Sequence, residues 1–145
     1  MSTIFTKIIK RQIPSYILYE DELVIAFLDI SQATKGHTLV VTKEEYKTID
    51  EVPTNVFKHL FEVVHKISKT LITTLNCQGI NLINNNGIVS GQTIFHYHIH
   101  LLPRFSLEEI KIIFTDNSDK MNSTYYERIT KNIVMNLEKQ LMIIK

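Results

Sequence analysis

Phe95-His96-Tyr97-His98-Ile99-His100-Leu101-Leu102-Pro103-Arg104 places half of the chain's six histidines within five residues, at every second position. A β-strand sends successive side chains to opposite faces, so this spacing aligns three imidazoles on one face and Tyr97, Ile99 and Leu101 on the other. The run from Ile94 to Leu102 therefore predicts a strand that carries a reactive surface and is backed by a core. Neighbouring imidazoles on such a strand stand about 6.6 Å apart. They would repel one another if all were protonated, so at least some are neutral near pH 7. A neutral imidazole can act as nucleophile, base or metal ligand, and the strand alone does not choose among these roles.

Outward from this run, Gly79 to Asn84 reads as another strand, joined to the histidines by the polar, glycine-containing loop Asn85 to Thr93. Ile17 to Tyr19, Leu23 to Leu28 and His37 to Thr42 are apolar runs separated by turn-type residues, and predict three strands in antiparallel succession. Between the two groups, Phe57, Leu60, Phe61, Val64, Ile67, Leu71 and Leu75 recur mostly at steps of three and four. That is the stripe of an amphipathic helix over Thr54 to Leu75, with Pro53 suited to its start. His59 and His65 fall outside the stripe and read as solvated surface residues.

Ile4, Phe5, Ile8 and Ile9 predict a short amino-terminal helix that Pro14 should end. Near the other end, Thr124 and Glu127 form a T-x-x-E capping box ahead of Ile129, Ile133, Leu137 and Leu141, with Tyr126 on the same stripe. This carboxy-terminal helix could cover its own domain or another subunit. The sum is an α+β chain: a five-stranded antiparallel sheet, one main helix and a carboxy-terminal helix. No repeat or low-complexity linker divides it.

At 145 residues, with 44% hydrophobic and 21% charged residues, the composition is that of an ordinary globular domain. Sixteen basic against fifteen acidic residues leave a charge of +1, with no basic stripe, so nucleic acid is not an expected partner. Cys77 is the sole cysteine and cannot form an internal disulfide. With no signal-type h-region and no apolar run long enough to span a bilayer, the expectation is a cytoplasmic protein without a membrane partner.

Two chemistries compete for the histidines. Three imidazoles could hold a catalytic metal and make a metal-dependent hydrolase, but the adjoining loop supplies no carboxylate to join them. It supplies Asn85, Asn86, Gly87, Ser90, Gly91, Gln92 and Thr93 instead, whose amides, hydroxyls and backbone N–H groups suit an anion. A phosphate beside a neutral imidazole is the natural inference, although a plain hairpin connection would use similar residues.

The run His96 to Leu102 resembles the H-φ-H-φ-H-φ-φ motif of the histidine triad (HIT) family, φ being largely apolar. The loop Asn85 to Gln92 and the segments Leu28 to Ser31 and Gly36-His37 are also similar to that family, over residues 4 to 104. The resemblance implies a HIT domain over residues 1–104 and an extension over residues 105–145. It is closest to bacterial HIT and Hint-type enzymes, and implies a hydrolase or transferase acting at the α-phosphate of purine nucleoside phosphoramidates or related nucleotides. Dinucleoside polyphosphate hydrolysis and a non-catalytic nucleotide-binding module remain the alternatives beside the metal-dependent one.

By the same resemblance His98 is the nucleophile, forming a nucleotidyl-histidine that water resolves. His100 reaches phosphate, while His96 and His37 orient the cluster. Gly91, Gln92 and Thr93 hold phosphate oxygens, with Asn85 in the same loop and Thr93 near the leaving group. Asp29 accepts from ribose hydroxyls, Ile30 lies along the nucleoside, and Phe5, Phe27 and Leu39 match apolar positions around the base. The resemblance also implies a homodimer whose sheets join, with no cofactor. Several bacterial relatives bind structural zinc through a C-x-x-C pair, a later histidine and one triad histidine. Thr3, Thr6 and Glu45 stand at the matching positions here, so that metal site is expected to be absent.

Overall fold

Residues 2–144 are described in the computed structural model of the chain. The first three strands, β1 (Ile17–Glu20), β2 (Val24–Leu28) and β3 (Thr38–Thr42), pair antiparallel in succession. The main helix follows, and then β4 (Gly79–Ile83) and β5 (His98–Arg104). β5 inserts between β3 and β4, giving the order β1-β2-β3-β5-β4, antiparallel throughout. The histidine strand is therefore central rather than at an edge.

The main helix, α2, spans Thr54–Leu75 with Pro53 at its cap, where sequence spacing placed it. It lies on one face of the sheet, with Leu60, Val63, Val64 and Leu71 packed against Val24, Ala26, Val40, Tyr97, Ile99 and Leu101. A second cluster, Ile25, Phe27, Leu39 and Val41 with Phe5 and Ile8 of the short helix α1 (Ile4–Ile9), covers the opposite face. Burial on both faces explains why β2 and β3 read as continuous apolar runs rather than as alternating ones. His98 pairs with Val41 and His100 with Leu39, so these imidazoles share the α1 face.

Several expected boundaries move. β5 begins at His98, not Ile94: the Tyr97 N–H donates to the Tyr46 carbonyl (2.6 Å), tying the chain to the loop beyond β3 before strand pairing begins. β3 begins at Thr38, one residue after His37, and β4 stops at Ile83. α1 ends well before Pro14, because Arg11 enters the left-handed region (φ 62°). The Arg11 N–H then donates to Ile8 O (3.0 Å) and the Gln12 N–H to Lys7 O (2.8 Å), a Schellman closure without glycine. Gly36 also has positive φ (87°), and a Cβ there would lie 2.4 Å from Leu75 Cδ1. The turn that delivers His37 thus needs glycine both for its backbone and for the packing of α2.

The chain divides into two compact units, Met1–Lys111 and Ile112–Lys145. The first runs past Arg104 because that guanidinium gathers the following turn: Nε donates to Glu109 (3.2 Å) and Nη2 to the carbonyls of Ser106 (3.1 Å) and Leu107 (3.0 Å). The second unit contains α3 (Ser123–Ile144), which carries the expected stripe. Its cap is Asn122, whose Oδ1 accepts the Tyr125 N–H (2.9 Å), and Thr124 and Glu127 lie inside the helix rather than framing it. No described helix is long and apolar enough to cross a membrane.

Candidate active site

The three alternating histidines occupy three different environments. His96, just before β5, is completely buried. Its Nε2 lies 2.6 Å from the Thr42 carbonyl and its Nδ1 2.7 Å from Thr3 Oγ1. A carbonyl only accepts, so the Nε2 carries the proton and the Nδ1 accepts from the Thr3 hydroxyl. Burial lowers the pKa of this imidazole and keeps it neutral, against the opposing pull of the Thr42 carbonyl.

His98 opens β5 and is 7% exposed. Its Nδ1–H donates to the backbone carbonyl of His96 (2.6 Å), which leaves the Nε2 lone pair without a protein partner among the described residues. Burial also lowers its pKa, so the free nitrogen is unprotonated at neutral pH. The ring is packed edge-on by Phe5, with centroids 5.0 Å apart, and stands the same distance from His100. This is the arrangement a nitrogen nucleophile requires: a fixed tautomer, a fixed ring and an available lone pair.

His100 belongs to a different chain of hydrogen bonds. The Ala33 N–H donates to His37 Nδ1 (3.2 Å), so His37 carries its proton on Nε2 and donates it in a hydrogen bond to His100 Nδ1 (2.9 Å). His100 is thereby the Nε2–H tautomer, a donor. Burial is the main reason its pKa is pushed down to about 4, with the neighbouring His98 and His37 adding to the shift. Burial lowers His37 as well, and Asp29, whose Oδ2 lies 3.6 Å from His37 Nε2, opposes it.

Asp29 is held in its turn by the Ser31 N–H, which donates to Oδ1 (2.8 Å). Ile30 beside it is 81% exposed. Phe5, Phe27 and Leu39, expected around a base, are at most 4% exposed and belong to the core beneath the histidines. They have almost no surface left to offer a ligand.

The loop before β5 divides its labour in a way that composition did not reveal. Gln92 is buried and committed: its Oε1 accepts the Gly87 N–H (2.8 Å), its Nε2 donates to Lys47 O (2.8 Å) and Ile94 O (3.1 Å), and its own N–H goes to Gly87 O (3.2 Å). Gly91, with φ 97°, gives its N–H to Ile88 O (3.0 Å). The expectation that Gly91 and Gln92 donate to phosphate thus meets groups already bonded inside the loop. Thr93 is exposed, and neither its N–H nor its hydroxyl has a partner among the described residues; the Asn85 side chain is equally free. Among the described residues, these two side chains keep their donors free in the loop that leads to the histidines.

Sequence reasoning missed the residues that brace the site. Gln32 is a clamp across the turn, donating to Asp29 O (2.5 Å) and His37 O (2.8 Å) and accepting from the Gly36 (2.8 Å) and His37 (3.1 Å) N–H groups. Asn84 donates to the His98 carbonyl (2.9 Å), and Asn86 donates to Asn84 (2.8 Å) while accepting the Ile49 N–H (2.7 Å). Their polarity marked a loop, and no periodicity distinguishes a bracing amide from a solvated one. His59, expected as a free surface residue, is half-buried and meets Asp21 at 2.5 Å. His65 is exposed as expected.

The three strand histidines do not converge on one point. Both nitrogens of His96 and one of His98 are engaged by protein groups, which leaves no shared position for an ion. Among the described residues, the group whose donor atoms do gather, within 4.8 Å, is Asp29, His37 and His100. The residues present do not fit the structural zinc that the resemblance raised either. At those positions the Thr6 hydroxyl donates to Glu45, Thr3 Oγ1 bonds His96, and the Thr6 N–H closes back on Thr3 (3.2 Å). Two neutral hydroxyls are poor zinc ligands beside the thiolates they replace.

Comparison with known proteins decides the family. The HIT domain model matches residues 10–107. The chain belongs to the HIT family. A crystal structure of a HIT family member from Bacillus subtilis superposes on the chain with a TM-score of 0.87, at 38% identity, covering 93% of this chain and 96% of that one. The adenosine 5'-monophosphoramidase HNT1 of Candida albicans is 35% identical over 107 residues, which is 71% of this HIT chain and 70% of that protein. The adenylylsulfatase HINT3 of Arabidopsis thaliana is 31% identical over 138 residues, covering 95% and 68%.

Proposed function

We propose that the protein is a nucleotide hydrolase acting at the α-phosphate of purine nucleoside phosphoramidates, with His98 as nucleophile. The observation that carries this reading is the His98 hydrogen bond: with Nδ1–H fixed on the His96 carbonyl, Nε2 is the one unengaged nitrogen of a neutral, nearly buried ring. Phosphoramidase activity in one relative and adenylylsulfatase activity in another support an adenylyl-type substrate.

In the first step Nε2 of His98 bonds to phosphorus while the P–N bond breaks, its electron pair going to the leaving amine, which takes its proton from solvent. The adduct carries positive charge on the imidazole, and the His96 carbonyl 2.6 Å from Nδ1 stabilises it. In the second step water bonds to phosphorus, Nε2 leaves with its electron pair, and the water proton passes to solvent. His100, donating from Nε2, and the free Thr93 hydroxyl supply hydrogen bonds to phosphate oxygens. Asp29 and the exposed Ile30 face the nucleoside. The groups of His37 and Asp29 hold His100 in its donating tautomer.

Replacing His98 by Ala or Asn is expected to abolish hydrolysis of adenosine 5′-phosphoramidate, by roughly a thousandfold or more, while AMP binding persists. Unchanged turnover in either variant would overturn the assignment. A homodimer fits the same reading. β4 is an edge strand with Leu82 49% exposed, a surface able to continue the sheet into a second copy. Sedimentation equilibrium reporting a monomer at micromolar concentration would remove the dimer from the account.

A further inference from the structure

The histidine cluster is attached to the amino terminus through Thr3. This residue caps α1 in a reciprocal box: its Oγ1 accepts the Thr6 N–H (3.2 Å), while its own N–H donates to Thr6 Oγ1 (3.3 Å). The Thr6 hydroxyl proton is committed to Glu45, which also receives the Thr3 N–H at 3.4 Å. The Thr3 hydroxyl proton therefore has one strong destination, His96 Nδ1 at 2.7 Å, against 3.3 Å to Thr6 Oγ1. From His96 the order continues: Nε2–H to Thr42 O, and the His96 carbonyl receives the Nδ1–H of His98.

We infer that Thr3 is a positioning residue for His98, using its hydroxyl proton to hold buried His96 as the Nε2–H tautomer and thereby fixing the carbonyl that sets the tautomer of His98. Glu45 and Thr6 are the outer posts of this arrangement. Without the Thr3 proton, His96 Nδ1 becomes a buried acceptor with no partner, and the ring either rotates or takes up a proton. Each outcome loosens the junction between the loop and β5 from which the His96 carbonyl projects. Phe5, two residues after Thr3, packs edge-on against both rings, with centroids 5.7 Å from His96 and 5.0 Å from His98, so α1 adds a steric restraint to the polar one. The inference rests on His98 being the nucleophile only for its catalytic consequence; the tautomer order stands independently of any reaction.

The test uses the full-length protein carrying ¹⁵N-labelled histidine, with imidazole tautomers read from long-range ¹H–¹⁵N correlation in the absence of nucleotide. Wild type is expected to show His96 as Nε2–H and His98 as Nδ1–H. Thr3→Ser keeps the hydroxyl and should preserve both. Thr3→Val removes it at constant shape and should give His98 a mixture of tautomers, with kcat for adenosine 5′-phosphoramidate lower by about tenfold and KM within about twofold. If Thr3→Val does not fold, Thr3→Ala is read by the same spectrum. A single His98 Nδ1–H tautomer with wild-type kcat in the hydroxyl-free variant would overturn the inference. Wild-type protein with the expected tautomers and no turnover would instead remove the enzymatic reading and leave the positioning intact.

Discussion

His96 and His100 occupy the two ends of the same alternating run, yet the molecule treats them in opposite ways. His96 is sealed, with both ring nitrogens bonded to α1 and β3 neighbours, and offers a ligand nothing but its backbone carbonyl to His98. His100 is partly open, braced from one side by His37, and keeps its Nε2–H for whatever binds. Repetition in sequence therefore becomes a gradient in space: one histidine is sealed in the core, one keeps a single free ring nitrogen, and one is partly open. The lesson is that tautomer and access, rather than residue type, divide the work.

That contrast can be broken most forcefully at its sealed end. His96→Ala should cost roughly 3 kcal/mol in denaturant unfolding, because it opens a cavity and leaves the Thr42 carbonyl and the Thr3 hydroxyl unpaired. His100→Gln should stay within about 1 kcal/mol of wild type but lose about a hundredfold in kcat. Equal stability losses in the two variants would erase the distinction.

A milder probe is pH. All four histidines of the cluster have pKa values lowered by burial, whereas in the unfolded chain they return to the ordinary imidazole value of about 6.5. Between the folded and unfolded values the unfolded chain binds more protons, so stability rises with pH through this window. Thermal midpoints should accordingly be full above about pH 6.5 and decline as pH falls toward the His100 value of about 4. His100→Gln should shallow that decline; an identical slope would exclude His100 as a contributor.

Smaller still is the effect expected on the other sheet face. Tyr97 is completely buried against α2 and its hydroxyl has no partner among the described residues. Tyr97→Phe should raise unfolding stability by about 1 kcal/mol and leave kcat unchanged, since the ring points away from the histidines. A loss of activity would show that the two faces are coupled. Least of all should change on metal removal: dialysis against a strong chelator should leave the thermal midpoint where it was, because Thr3 and Thr6 offer hydroxyls where zinc would need thiolates.

The architecture was legible because it is written in periodicity. The α2 stripe, the apolar runs of β2 and β3 and the alternation of His98, Ile99, His100 and Leu101 each follow from burial on a known face. What periodicity does not encode is where pairing starts and which polar groups are already used. The strand expected from Ile94 starts only at His98, because Tyr97 bonds to Tyr46, a partner far away in sequence. Gln92 and Gly91 looked like donors for the same reason that Thr93 did, and only the tertiary arrangement shows that the first two are engaged within the loop. Thr3 drew attention only as a missing zinc ligand, and Gln32, which clamps the turn at His37, carried no sequence signal beyond its polarity.

The claim on which the functional account depends is that a nucleotidyl group passes through a nitrogen of the protein before it reaches water. The stereochemical course at phosphorus tests this most directly. One displacement inverts the centre, whereas two successive displacements restore it. Hydrolysis of a single P-chiral diastereomer of adenosine 5′-phosphoramidothioate in ¹⁸O-enriched water is predicted to proceed with retention of configuration. Inversion would mean that water attacks directly and that His98 forms no covalent intermediate.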